Sequence, residues 1–313
     1  MISLRYHIVS IAAVFLALAL GIALGATKVQ SPILVGLQDD RAQLTGQRDQ
    51  LQQQHDQLAK QLTQDQRFAG DVSALAVRGT LPKATVVLIS TSDADPGDRD
   101  AVLGLLARAG ATVSGQLQLT ADFTDPARSA ELQSLLAKSL PAGAKLPEVS
   151  SAGTMAGSLL GSVLLTDQSG KPTAKPAEAT AAMSALSAGG FVTASGSLTP
   201  GRLVLVLTGG AAAGGSEADR ATMIADMAAQ LKKASGGVVL AGRTGSETTS
   251  AGPIGAVRGD AGLSGAVSTV DNVQESTGRL ASVLSLVEQS GGGVGQYGEG
   301  VGAQGPIPVL AVG

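Results

Sequence analysis

The hydrophobic and polar positions fall into three patterns along the chain. Residues 8–26 contain no charged side chain and are nearly all apolar. Residues 33–69 place leucine at every seventh position among Gln, Asp and Arg. From about residue 80, short apolar runs alternate with stretches whose apolar residues recur at helical spacing. The patterns predict, in this order, a membrane helix, a helical stalk and an α/β domain.

The first pattern is long enough for a transmembrane helix. A helix of nineteen residues spans roughly 28 Å, close to the thickness of a bilayer's hydrocarbon core. We assign residues 8–27 to the membrane and residues 1–7 to the cytoplasm, because so short a leader could not fold. A cleaved signal peptide is the alternative, since Ala23-Leu24-Gly25 resembles a cleavage site. Both interpretations place the rest of the chain outside the cytoplasm, with a single span in the cytoplasmic membrane.

The second pattern is a heptad repeat, with leucine at position d and with Leu34, Arg41, Arg48, His55 and Leu62 at position a. The candidate partner-binding residues are Leu37, Leu44, Leu51, Leu58 and Leu62. The repeat predicts a coiled coil over residues 33–69. Because one leucine per heptad buries little surface by itself, we expect the leucines to contact a partner helix, from a second copy or from another envelope protein. A lone solvated helix is the alternative.

The third pattern predicts strands and helices in alternation. The predicted strands cover residues 84–90, 113–119, 191–194, 203–208, 237–241, 266–270 and 307–312. The predicted helices cover residues 98–109, 126–140, 155–165, 216–234 and 280–287. Such alternation predicts an α/β fold with a mostly parallel sheet covered by helices. The domain is assigned to residues 80–313, and a division into two halves, about 80–145 and 190–313, stays open.

Composition limits the chemistry. The chain has no cysteine, which excludes disulfides and thiolate metal sites. Its 22 basic and 25 acidic residues give no excess of positive charge for nucleic acid. The two histidines, His7 and His55, lie outside the predicted α/β domain, so a Ser-His-Asp triad cannot form there. We therefore expect neither an enzyme nor a nucleic-acid-binding protein, and no cofactor is evident.

A glycine-rich segment, Gly209–Gly215, lies between a predicted strand and a predicted helix. Backbone N–H groups at such a place can hold phosphate. The spacing matches neither the dinucleotide-binding pattern nor the P-loop, so a turn is the preferred interpretation and nucleotide binding the alternative. Ser216 and Asp219 predict a capping box at the start of the helix.

Two groups of residues are weak metal candidates. Asp93 and Asp95 belong to an acidic cluster, completed by Asp98 and Asp100, that follows the first strand. The cluster could hold Mg²⁺ or Ca²⁺, although helix capping explains it better. Met223 and Met227 lie four residues apart on one predicted helix, as soft ligands for Cu(I) would. Packing in the core explains the two methionines equally well.

Three segments resemble a known family: residues 1–25 (MISLRYHIVSIAAVFLALALGIALG), 266–272 (AVSTVDN) and 295–300 (GQYGEG). They resemble the actinobacterial MctB family of copper-transport envelope proteins, and the resemblance runs nearly end to end. It implies a role in copper efflux or homeostasis, with association to an outer membrane, and copper enters only through it. A related corynebacterial cell-separation protein implies an alternative, a non-catalytic coiled-coil scaffold that recruits or regulates peptidoglycan-hydrolase partners.

Overall fold

The computed structural model describes residues 4–142, 151–167, 169–249 and 251–309, and only the backbone of residues 26–39. The chain divides into two compact units, Met1–Asp65 and Gln66–Gly313. The helices are α1 Leu4–Ala76, α2 Pro96–Ala109, α3 Ser129–Lys138, α4 Ala152–Leu164, α5 Pro176–Ala188, α6 Glu217–Ala234, α7 Pro253–Arg258, α8 Ala261–Ser264 and α9 Ser276–Ser290. The strands are β1 Thr85–Ser90, β2 Thr112–Leu119, β3 Val192–Ser195, β4 Leu203–Leu207, β5 Gly237–Ala241, β6 Ser268–Val270 and β7 Gln296–Tyr297.

Helix α1 contains both the predicted membrane segment and the predicted stalk. Its segment Leu4–Gly25 has a mean hydropathy of 2.6 and is the one candidate span among the described residues. The large apolar side chains of this segment are 54–78% exposed. They need an apolar surrounding that the protein itself does not supply, which fits a single membrane span near the N-terminus.

The stalk leucines are also uncovered. Leu44, Leu51 and Leu58 are each 65% exposed and Leu62 is 60% exposed; we call these four residues the leucine stripe. Leu37 lies outside the part of the chain whose side chains are described. The predicted helix is confirmed, whereas its pairing with a partner helix stays a prediction.

The second unit is built around one sheet of seven described strands, in the order β3-β2-β1-β4-β5-β6-β7. All neighbouring strands are parallel except β2 and β3, which are antiparallel. The predicted mostly parallel sheet is therefore confirmed. Strand β3 starts at Val192 and forms one edge of the sheet.

Side chains alternate between two hydrophobic cores on opposite faces of the sheet. Val87 and Ile89 of β1 belong to the core that contains residues of α4 and α6. Val86 and Leu88 belong to the core that contains residues of α2 and α9. Because both faces of the central strands are covered, these strands read as continuous apolar runs rather than as alternating ones.

Helices α4 and α6 approach each other closely because glycines of α4 lie at their contact. A Cβ atom on Gly157 would lie 2.7 Å from the carbonyl oxygen of Met227 and 2.6 Å from Cβ of Gln230. Gly153 and Gly161, one turn before and after, face Met223 and Ala234 of α6 in the same way. Any side chain at these positions would push the two helices apart.

The sheet ends differently from the prediction. The predicted closing strand at 307–312 is wrong for Ile307–Val309, which are irregular, and residues 310–312 lie outside the described residues. The two-residue strand β7 takes that edge instead. The preceding helix α9 packs on the opposite face from α6, although β4, β5, β6 and β7 follow one another in one direction. The β6–α9–β7 and β4–α6–β5 crossovers therefore have opposite hands, and left-handed crossovers are rare.

Other boundaries also differ. Helix α3 ends at Lys138, so Leu140 lies beyond it. A 3₁₀ turn, Pro126–Arg128, precedes α3 and is capped by Asp125, which accepts a hydrogen bond from the backbone N–H of Ala127 at 2.9 Å. Helices α5, α7 and α8 were not predicted. Proline at the first position of α5 and of α7 was the available signal.

Replacing Gly157 tests the close approach of α4 and α6. We expect Gly157→Val to lower the free energy of unfolding by about 1–3 kcal/mol, because the new side chain would overlap α6. Gly104→Ala in α2 is the matched control, since no atom lies within 4 Å of its Cβ position. It should raise the free energy of unfolding by about 0.5–1 kcal/mol. Chemical denaturation of both variants measures the difference, and equal effects would contradict the packing described.

Candidate functional site

The sheet has a topological switch point between β1 and β4. The two strands are adjacent, and the chain leads from β1 to β2 on one side and from β4 to β5 on the other. In open α/β sheets, ligands bind in the crevice beyond the carboxyl ends of the strands at such a point. Here the crevice is formed by the loop after β1 and the loop between β4 and α6.

A cavity of about 280 Å³ occupies this crevice. Its polar lining comes from hydroxyl groups, one carboxylate and one guanidinium group. The main polar residues are Thr91, Asp93, Thr120, Thr208 and Arg220. Its apolar wall is formed by Leu119, Ile224 and Pro253. Four separate segments of the chain therefore contribute to one small polar cavity at the carboxyl edge of the sheet.

The glycine-rich loop forms one side of the cavity, between β4 and α6 as predicted. A Cβ atom on Gly210 would lie 2.9 Å from the carbonyl oxygen of Thr244, so a side chain there would force the two loops apart.

The predicted capping box at the start of α6 is wrong, because the side chain of Ser216 makes no capping hydrogen bond. Glu217 instead accepts a hydrogen bond from the backbone N–H of Gly215 at 2.8 Å, which lowers the pKa of Glu217. The carboxylate therefore occupies N–H groups that a nucleotide phosphate would need.

The acidic cluster is held by arginines from distant parts of the chain. Asp98 is 3% exposed and accepts hydrogen bonds from Nε of Arg243 at 2.7 Å and from Nη2 of Arg279 at 3.0 Å. Asp95 caps α2 through the backbone N–H groups of Gly97 and Asp98, and it pairs with Arg243 at 2.8 Å. This ion-pair cluster joins the loops after β1 and β5 to α9. Both carboxylates also raise the pKa of Arg243, with the hydrogen bond to Asp98 as the larger cause.

The four aspartates do not converge on one point. Asp93 accepts a hydrogen bond from Thr91, and Asp100 pairs with the neighbouring Arg99 at 3.1 Å. Within the described ranges, no group of three or more His, Cys, Asp or Glu residues is placed to hold a metal ion. A metal role for Asp93 and Asp95 stays a prediction, and Arg243 already neutralises the charge of Asp95.

The two candidate methionines lie on α6. Met227 is fully buried in the hydrophobic core shared with α4. Met223 is partly buried and packs against the same core. The structure thus places both methionines where packing accounts for them, and copper binding by their sulfur atoms stays a prediction.

Sequence reasoning missed a second polar cluster at the carboxyl end of β6. Arg258 and Asp271 form an ion pair of 2.6 Å, with side chains only 6% and 2% exposed. Asp271 also accepts hydrogen bonds from the backbone N–H groups of Glu299 at 2.8 Å and Gly300 at 3.1 Å. The pair fixes the segment after β7 to the sheet. An aspartate directly after an apolar strand was the available signal, whereas its partners come from separate elements.

Two glutamates of this region lie close together. The charge of Glu275 raises the pKa of Glu299, and partial burial and a hydrogen bond between the two carboxyl groups add to the effect. The proximity of two like charges therefore favours the protonated form of Glu299 in the folded protein.

The chain is similar to known membrane copper proteins along its whole length. The family model described as "Copper transport outer membrane protein, MctB" matches residues 1–308. Copper transporter MctB of Mycobacterium leprae is 38% identical over 312 residues, which cover 97% of this chain and 98% of the relative. Copper transporters MctB of Mycobacterium bovis and Mycobacterium tuberculosis are each 35% identical over 309 residues, with the same coverage.

The raised pKa of Glu299 predicts a pH-dependent stability. A group whose pKa is higher in the folded state stabilises the protein below its unfolded pKa, and that contribution is lost as the pH rises through the folded value. At pH 7, Glu299→Gln should therefore raise the melting temperature, because it removes the repulsion from Glu275. Near pH 4, close to the ordinary pKa of about 4.3 for glutamate, the difference should shrink.

Thermal unfolding of both proteins between these pH values measures the effect. Glu275→Gln removes the other member of the pair and should change stability in the same direction. A gain that is independent of pH would show that the two carboxyl groups do not interact.

Proposed function

The chain belongs to the MctB family, and we propose that it serves copper homeostasis at a membrane as a non-catalytic, single-span protein. The observation that carries the proposal is the match with copper transporters over residues 1–308, which includes the apolar helix as well as the α/β domain. The similarity therefore extends to the membrane anchor and is not confined to one module.

We further propose that the α/β domain lies outside the cytoplasm and that the protein lowers cell copper by efflux. The support is the charge-free apolar segment 8–26, because both a membrane anchor and an export signal of this kind place the domain that follows outside the cytoplasm. The family description names copper transport without a direction, and efflux is our proposal for that direction.

We propose that the copper role depends on assembly of the protein at the membrane and not on copper binding by methionine sulfur. Cu(I) prefers soft ligands such as thioethers. The sulfur of Met227, however, belongs to a residue that is fully enclosed by the core, and its neighbour Met223 is partly enclosed. Their burial favours packing over ligation. The exposed apolar helix and the leucine stripe are therefore the surfaces through which we propose that the protein assembles.

A test of the copper role uses a strain that lacks the gene. The strain should contain more copper and grow less well with added copper, and the intact gene should restore both. The double variant Met223→Leu/Met227→Leu should restore them equally, because leucine fills the same core volume. Copper per cell is measured by mass spectrometry, with zinc as the control metal. Unchanged copper in the deletion strain would contradict the proposed function, and failure of the methionine variant alone would indicate direct ligation.

The exposed leucine stripe favours a second candidate function, that of a coiled-coil scaffold. Leu44, Leu51 and Leu58 are spaced seven residues apart on one helix and are each 65% exposed. Such a row is buried when a second helix packs against it. The scaffold and the copper role are compatible, because the leucine stripe lies outside the α/β domain and leaves that domain free for a separate role.

Substitution along the stripe tests the scaffold. Leu44→Asp/Leu51→Asp should abolish association through the stalk, because each change places a charge in the seam. The control is Gln43→Asp/Gln50→Asp, which adds the same charges at the adjacent outward positions of the same two heptads. Crosslinking in cells and the mass of the purified protein in detergent measure association. The idea fails if all variants associate to the same extent as the natural chain.

A further inference from the structure

The cavity at the switch point contains polar groups that the protein leaves without partners. Thr208 directly follows β4 and is only 3% exposed, and among the described residues its hydroxyl makes no hydrogen bond. Nε of Arg220, in the first turns of α6, is shielded from solvent and likewise has no partner. Buried polar groups are hydrogen-bonded in the great majority of cases, so Thr208 and Arg220 are available to bind a molecule that enters this cavity.

The polar groups that line the cavity come from different elements. Thr208 directly follows the central strand β4, Arg220 belongs to the helix that comes next, and Asp93 to the loop after β1. Asp93 is kept in place by the hydroxyl of Thr91. The site thus offers a cation, an anion and a buried hydroxyl around one volume of about 280 Å³.

These groups limit the chemistry of the occupant. A nucleotide is disfavoured, because Glu217 already uses the backbone N–H of Gly215 and no aromatic side chain lines the cavity for stacking on a base. Arginine binds a carboxylate through parallel N–H groups of its guanidinium. A carboxylate such as Asp93 accepts hydrogen bonds from hydroxyl groups. The cavity volume is small, which restricts the occupant to roughly the size of one sugar ring.

We propose that this cavity binds a small hydroxylated carboxylate of the size of one sugar acid. The carboxylate pairs with Arg220, and hydroxyl groups of the ligand bond to Asp93 and Thr208. The binding site is independent of the copper role, since it uses neither Met223 nor Met227.

Calorimetry on the full chain in detergent tests the proposal with three probes: D-glucuronate, D-glucose and inorganic phosphate. We expect saturable binding of glucuronate. Glucose lacks the carboxylate and phosphate lacks the hydroxylated ring, so each should bind at least about tenfold more weakly. Arg220→Gln should weaken glucuronate binding at least about tenfold, and Thr208→Val, which removes only the hydroxyl, should weaken it severalfold.

Arg202→Gln is the matched control, because Arg202 is an exposed arginine that precedes β4 at the opposite end of the strand. It should bind glucuronate as the natural chain does. Melting temperatures without probe confirm that each variant is folded, and Arg220→Lys replaces Arg220→Gln if the latter does not fold. Absence of saturable binding for all three probes overturns the proposal. The proposal is also overturned if glucose or phosphate binds as tightly as glucuronate. Unchanged glucuronate binding in both the Arg220 and the Thr208 variant overturns it as well.

Discussion

The apolar side chains of Leu4–Gly25 have to be removed from water, and this constraint ties the rest of the protein to a membrane. Twelve large apolar side chains between Leu4 and Leu24 are exposed on this helix. Burying each contributes about 1.5–3 kcal/mol, so together they outweigh the about 5–15 kcal/mol that stabilise a typical domain. A bilayer supplies that burial, and the stalk and the α/β domain are consequently tied to a membrane surface.

The α/β domain joins distant parts of the chain through guanidinium–carboxylate pairs at the carboxyl edge of its sheet. Asp98 connects the start of α2 with the loop after β5 and with α9, while Arg258 and Asp271 hold the segment after β7. Such pairs cost desolvation energy, and their geometry has to be good for the pairs to persist. The pairs of Asp98 fix the loops after β1 and β5, which lie beside the switch point, and so help to define the shape of the cavity there.

Family membership and local chemistry therefore concern different parts of the molecule. The similarity to copper transporters extends from the membrane helix to the C-terminal strands, but the α/β domain presents few groups that soft metals prefer. The apolar helix and the leucine stripe are uncovered, and Arg220, whose buried Nε has no partner, lies at the switch point. Membrane assembly and a small-molecule site can thus coexist in one chain without sharing residues.

The sequence by itself determined the membrane helix, the stalk helix and the mostly parallel sheet, because each depends on a periodicity that is local in the chain. It also located the glycine loop between β4 and α6. The two-residue strand β7, the opposite hand of its crossover and the partners of Asp98 and Asp271 were decided only by tertiary structure. Arg243 and Arg279 lie 145 and 181 positions from Asp98. No local sequence pattern indicates such a pairing, because it forms only when the folded sheet brings the ends of separate strands to one edge.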